Sequence, residues 1–168
     1  MARRVEGRLT RGGLGLAAQL IHVVRHAHAA DRGAWSHGDH LRPLSDRGCG
    51  QAERLVGHLG VTPATILSSP SVRCLATVLP LALAHGLPVA TLTELAEGSA
   101  ASPLLERLAA VPVSPVVVCT HGDILAGLLG LLISAGVVLP STRAEKGSTW
   151  TIEVVDGRLC SATYLPPP

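Results

Sequence analysis

Leu20-Ile21-His22-Val23-Val24-Arg25-His26-Ala27-His28-Ala29-Ala30 is an apolar run that breaks into a basic, histidine-bearing turn. A second run, Val116-Val117-Val118-Cys119-Thr120, ends the same way in His121-Gly122-Asp123. Short, near-continuous apolar runs rich in β-branched residues are the pattern of strands buried on both faces. Two such strands, each delivering a histidine at its C-terminal end, describe a site, because open α/β sheets bind ligands at that edge. Arg25 beside His26 predicts a ligand that carries phosphate, since a planar guanidinium fork matches phosphate oxygens in charge and geometry.

Working outward, the first strand is expected over about Gln19 to Val24. A polar loop with Trp35, His37, Asp39 and His40 follows and ends in Arg42-Pro43-Leu44. Ser45 is placed to cap a helix whose apolar positions Ala52, Leu55, Val56 and Leu59 recur at helical spacing, with Gly48 and Gly50 weakening its first turn. Thr65-Ile66-Leu67 reads as a second strand, and Val72 to His85 as a helix interrupted or bent near Pro80. Val89 to Leu92 is a third strand, Glu94 to Ser99 a polar loop, and Pro103 to Ala110 a helix started by Ser102. Val116 to Cys119 is the fourth strand and Ile124 to about Ile133 the fourth helix. Thr149 to Val155 and Arg158 to Tyr164 form a closing hairpin, with Asp156-Gly157 at the turn. This alternation predicts an α/β fold, a three-layer α/β/α sandwich around a mostly parallel sheet. A single domain over residues 1–168 is expected, with 1–13 a loose basic arm.

Composition narrows the class. The chain has 168 residues, enough for one domain with a real core. Two Trp, one Tyr and no Phe leave too few ring faces for a base-stacking nucleic-acid module, and a net charge of +2 implies no strongly basic surface. Neither nucleic acid nor a membrane is therefore expected as a partner, and oligomeric state is left open. Cys49, Cys74, Cys119 and Cys160 are scattered, with no Cys-x-x-Cys pair, which fits packing thiols in a reducing cytosol. Ala27-His28-Ala29 imitates a signal cleavage site, but Glu6, Gln19 and His22 interrupt the pattern and cleavage would remove His26. The uncharged stretch Ile124 to Leu139 carries glycines and is shorter than the roughly 20 residues that span a bilayer. A cytoplasmic protein is expected.

Arg25, His26, Arg73, Glu97 and His121 all fall at strand-to-helix junctions, one junction after each of the first four strands. In a parallel sheet these junctions share one edge, so the residues converge although far apart in sequence. Arg73 alone would be a misplaced cation, because helix N-termini disfavour positive charge unless an anion is bound. Glu97 alone would be an ordinary loop or capping carboxylate. His28, His37 and His40 are expected as exposed loop residues, and no spacing assembles a zinc site, so neither metal nor cofactor is expected. Gly13-Leu14-Gly15-Leu16-Ala17-Ala18 imitates a dinucleotide fingerprint but precedes the first strand, which removes its structural context.

With these residues in order, the chain resembles the histidine phosphatase superfamily, also called phosphoglycerate mutase-like. Its Arg-His-Gly/Ala signature is matched by Arg25-His26-Ala27, its Ser-x-x-x-Arg by Ser69 to Arg73 followed by Thr77, and its late His-Gly by His121-Gly122. Arg25 to Ala29 and Arg42 to Gly48 are similar to the small, lid-poor branch that includes phosphohistidine phosphatases. Leu95 to Gly98, Cys119 to Asp123 and Glu145 to Trp150 look like phosphatase domains fused to Nudix hydrolases. The resemblance spans roughly Ile21 to Thr151; it departs from many members at Ala27 and at Ala29, where others carry Gly and Thr or Asn.

The resemblance implies a metal-independent phosphatase whose partner is a small phosphorylated substrate or a phosphoprotein, and which acts on phosphomonoesters or on phosphohistidine. His26 would attack phosphorus in line as a neutral imidazole, with its other nitrogen held by a carbonyl or similar acceptor. Arg25, Arg73 and a cationic His121 would hold the equatorial oxygens. Glu97, with Glu94 in reserve, would protonate the leaving group and then activate water. Two alternatives stand beside this: a phosphoglycerate-type mutase, and a catalytically silent phosphate-binding module. The absence of a long insertion over the pocket favours hydrolysis over mutase chemistry.

Overall fold

The computed structural model describes residues 18–168; the expected basic arm and the Gly13–Ala17 part of the dinucleotide-like stretch lie outside them. Six strands join one sheet in the order β3-β2-β4-β1-β5-β6. β1 (Gln19–Arg25), β2 (Thr65–Ser68), β3 (Val89–Thr91) and β4 (Val116–Thr120) run parallel. β5 (Thr149–Val155) pairs antiparallel with β1, and β6 (Arg158–Leu165) with β5. The hairpin turn falls at Asp156 and Gly157, both with positive φ, at 52° and 71°, the conformation a two-residue primed turn requires.

Helices cover both faces. Val24, Val117, Cys119 and Ile66 pack on Leu55 and Leu59 of α1 (Asp46–Leu59) and on Val78 and Leu81 of α2 (Val72–His85). The alternate strand residues Ile21, Val23, Val116 and Val118 pack on Leu104 and Leu108 of α3 (Ala101–Ala109) and on Leu125, Leu128 and Leu132 of α4 (Gly122–Ser134). Successive strand residues point to opposite faces, so unbroken apolar runs are what a sheet between two helical layers demands. This is the expected three-layer α/β/α sandwich. Leu128 is fully buried in it, and truncating such a side chain to Ala costs roughly 2–5 kcal/mol.

Several expectations change at the level of single elements. Of the interruption or bend expected at Pro80, α2 shows no interruption; burial of Val78, Leu81 and Ala82 on either side offsets the lost backbone hydrogen bond. α3 starts at Ala101 with Ala100 as its N-cap, two residues before the expected Pro103. Pro103 sits in the first turn, where a missing N–H costs nothing. Ser45 does cap α1, its hydroxyl accepting from Gly48 N at 3.2 Å. Gly48 is more than a weak helix residue, because a Cβ there would stand 1.9 Å from the His28 carbonyl oxygen. Cys74 and Cys119 are buried as expected of packing thiols, whereas Cys49 and Cys160 are exposed. Among the described residues, no helix is long and apolar enough to cross a membrane.

Candidate active site

The sheet register brings the two histidine-bearing strand ends together. β1 and β4 pair in parallel from Ile21 with Val116 to Arg25 with Thr120, so His26 and His121 leave the sheet side by side. The His26 backbone N–H donates to Thr120 O at 2.9 Å, and the two imidazoles meet edge to face with centroids 5.4 Å apart. Both are buried. They line a cavity of about 610 Å³ together with Arg25, His28, Arg32, Arg42, Glu97, Gly122, Asp123 and Lys146.

The state of His26 follows from its contacts. Nδ1 lies 2.8 Å from the Ala27 carbonyl oxygen. A carbonyl only accepts, so Nδ1 carries the ring proton and Nε2 keeps its lone pair. The pKa of His26 is lowered to about 3: burial lowers it most, the Ala27 bond raises it, and the charges of Arg73, His121 and Arg25 lower it. The ring is therefore a neutral, tautomer-fixed nucleophile at ordinary pH. Thr77 braces the same turn: its hydroxyl accepts from Ala27 N at 3.0 Å and donates to Arg73 O at 2.6 Å.

The cations have distinct supports. Arg25 donates through one terminal nitrogen to Ala144 O, while its Nε is buried without a partner among the described residues. The guanidinium lies against Gly122, where an added Cβ would come within 2.9 Å of its central carbon. Arg73 is 1% exposed. It donates to Asp39 O at 2.7 Å, to Glu97 Oε2 at 2.9 Å and to His121 Nδ1 at 3.2 Å. Because a guanidinium only donates, Nδ1 of His121 accepts, and Nε2 donates to Ser69 Oγ at 2.9 Å.

The two candidate acids separate clearly. Glu97 lines the cavity and contacts both Arg73 and Arg32. Glu94 is outside it, paired with Arg107 on α3. His28 is half-buried on the cavity wall, bonded to Ser45 Oγ at 2.8 Å, where an exposed loop role was expected; His37 and His40 are exposed.

Residues that sequence reasoning passed over brace the wall or complete it. Asp39 bonds Arg42 Nε at 2.9 Å and Arg73 at 3.0 Å, tying the first loop to α2. The spacing Asp39-x-x-Arg42 was the available signal, since such residues meet across one helical turn. Lys146 comes from the segment before β5, whose Gly147 N–H bonds Arg25 O at 3.1 Å. Burial pulls the Lys146 pKa down, and the positive charges of Arg25, Arg42, Arg32 and Arg73 pull it further. The cavity is thus a place of concentrated positive charge, able to hold an anion. Among the described residues, no group of three or more His, Cys, Asp or Glu side chains is arranged to hold a metal ion.

A three-layer α/β sandwich that gathers two histidines and clustered guanidinium groups at the carboxyl edge of its sheet is an α/β protein built to hold an anion there. The sequence model of the histidine phosphatase superfamily (branch 1) matches residues 21–103, which include Arg25-His26, Arg73 and Glu97. The chain belongs to that superfamily. It is 40% identical over 160 residues to the 8-oxo-(d)GTP phosphatase of Mycolicibacterium smegmatis, a match covering 89% of this chain. The chain spans about half, 49%, of that relative's length.

Among solved structures, the protein histidine phosphatase SixA in complex with tungstate superposes with a TM-score of 0.66 at 22% identity, covering 89% of this chain and 96% of that one. A mycobacterial glucosyl-3-phosphoglycerate phosphatase superposes with a TM-score of 0.60 at 19% identity, covering 82% and 91%. These likenesses establish the phosphoglycerate mutase-like fold.

Proposed function

We propose that this chain is a metal-independent phosphatase that works through a covalent phosphohistidine on His26. The observation that carries the reading is the bond from His26 Nδ1 to the Ala27 carbonyl, which leaves a neutral Nε2 nucleophile among concentrated cations. Nε2 forms a bond to phosphorus as the bond to the leaving oxygen breaks, and Glu97 supplies the proton that the departing alkoxide needs. In the second step Glu97 takes a proton from water, whose oxygen displaces His26 and releases inorganic phosphate. Arg25 Nε, buried without a partner among the described residues, is a donor that a phosphate oxygen satisfies, and Arg73 with His121 completes the clamp. Arg73 must exchange part of its contact with Glu97 for the incoming anion.

The named relative supports a phosphorylated nucleotide derivative as substrate, since it matches at 40% identity over 160 residues. The test is turnover of a chromogenic aryl phosphate by purified protein. His26→Ala is expected to abolish it, chelator to leave it unchanged, and acid-labile phosphate to appear on His26 in the quenched native enzyme. Turnover that survives His26→Ala but stops in chelator refutes the mechanism. Labelled phosphate retained on an organic product would instead indicate mutase chemistry.

A further inference from the structure

The chain holds two Trp, one Tyr and no Phe, so the placement of each ring is informative. Trp150 is fully buried, with its indole N–H on Arg143 O at 2.8 Å, and it packs on Tyr164 at 5.3 Å within the closing hairpin. Trp35 is used differently. It stands half-buried in the loop after β1 and lines a second cavity of about 380 Å³ with Arg32, His37, Asp39 and Glu97.

The ring is held in place. Its indole N–H donates to Gly38 O at 3.2 Å, and the His37 ring lies 5.1 Å away, tilted by 46°. Arg32 is anchored by Asp39 at 3.1 Å. Arg32 and Glu97 line both this cavity and the His26 cavity, so the two spaces adjoin across one ion pair. That pair is exposed on both sides, at 63% and 46%, and an exposed pair costs little to open.

We propose that Trp35, with His37, forms a stacking subsite for a planar aromatic group of the substrate, a nucleobase, while its phosphate occupies the His26 cavity. The proposal rests on the reading of that cavity as a phosphate site and names the substrate class it accepts. An indole face beside a guanidinium suits a planar π system, which can stack on the first and contact the second. One such ring serves a single nucleotide and not a strand, in keeping with the scarcity of aromatics. Trp35 faces the cavity that adjoins the phosphate site across Arg32 and Glu97.

Guanosine 5′-monophosphate and ribose 5-phosphate share a phosphoribose and differ in the base. Each is to be measured as a competitive inhibitor of aryl phosphate turnover in the native enzyme, Trp35→Ala and Trp35→Phe. The nucleotide is expected to inhibit the native enzyme roughly ten-fold more tightly than the sugar phosphate. Trp35→Ala should remove that advantage while leaving ribose 5-phosphate unchanged, and Trp35→Phe should restore most of it. Guanosine 5′-monophosphate should also quench indole emission in the native enzyme but not in Trp35→Phe, where only buried Trp150 emits.

Equal weakening of both inhibitors by Trp35→Ala would assign Trp35 a purely structural role and overturn the proposal. So would a base advantage that survives the substitution, or no base advantage at all. If the native protein turns over no aryl phosphate, the phosphatase reading fails by itself, and the fluorescence titration still decides the subsite.

Discussion

Replacing His26 by Asn should make the protein less sensitive to acid as well as inactive. Native His26 is held near a pKa of about 3, chiefly by burial and then by the charges of Arg73, His121 and Arg25, against an ordinary value of 6.5. A histidine depressed in the native state stays neutral there while the unfolded imidazole takes up a proton. The stability at stake is therefore whole above 6.5 and is lost progressively as pH falls toward 3. At about pH 5 the unfolded chain has gained from one and a half units of protonation. At 1.36 kcal/mol per unit, that lowers native stability by about 2 kcal/mol relative to neutral pH.

Asn lacks the titration, and its side-chain amide can keep the donor to the Ala27 carbonyl. Urea unfolding of both proteins near pH 7 and near pH 5, followed through buried Trp150, gives four stabilities. The native protein should lose about 2 kcal/mol more than His26→Asn between the two pH values. Other groups, His22 among them, titrate in both proteins and cancel in the difference. An equal pH-dependent loss in both would mean that His26 takes up its proton in the native state too, and would refute the neutral-nucleophile argument.

Gly122→Ala places a Cβ 2.9–3.0 Å from the Arg25 guanidinium. That group is the movable end of a side chain, so unfolding midpoints should change little. The kcat/KM for aryl phosphate should fall roughly ten-fold or more as the clamp is displaced, and unchanged kinetics would show that Arg25 does not contact the phosphate. Glu97→Gln should slow substrates with poor leaving groups most, because they need the proton, and Glu94→Gln should leave them unaffected. The reverse pattern in a leaving-group series would transfer the acid role to Glu94.

Much of the fold was legible because its signals are local. The unbroken Val116–Cys119 run could bury both faces only between helical layers, and Ser45 and Asp156-Gly157 mark a helix start and a hairpin turn within a few residues. Pro80 left α2 uninterrupted for the opposite reason. Its intrinsic cost is local, but the burial that outweighs it comes from strands distant in sequence. The start of α3 shifted because Ser102 and Pro103 are both tolerated anywhere in a first turn. In the site, Arg25, His26, Arg73 and His121 were readable from motif and junction position. Arg32 and Lys146 were not, because each reaches the cavity from a segment with no periodic pattern.

By itself, then, the sequence determined which residue types reach the carboxyl edge of a parallel sheet, since strand and helix periodicity and turn chemistry are encoded over short windows. Only the tertiary structure decided how they meet. The parallel register of β1 with β4 sets His26 beside His121, and the Ala27 carbonyl fixes the tautomer. Packing placed Glu97 in the cavity and left Glu94 on Arg107. These are long-range matters: which strand lies next to which, and which carboxylate a buried guanidinium captures, depends on the whole packed core and on no window of the chain.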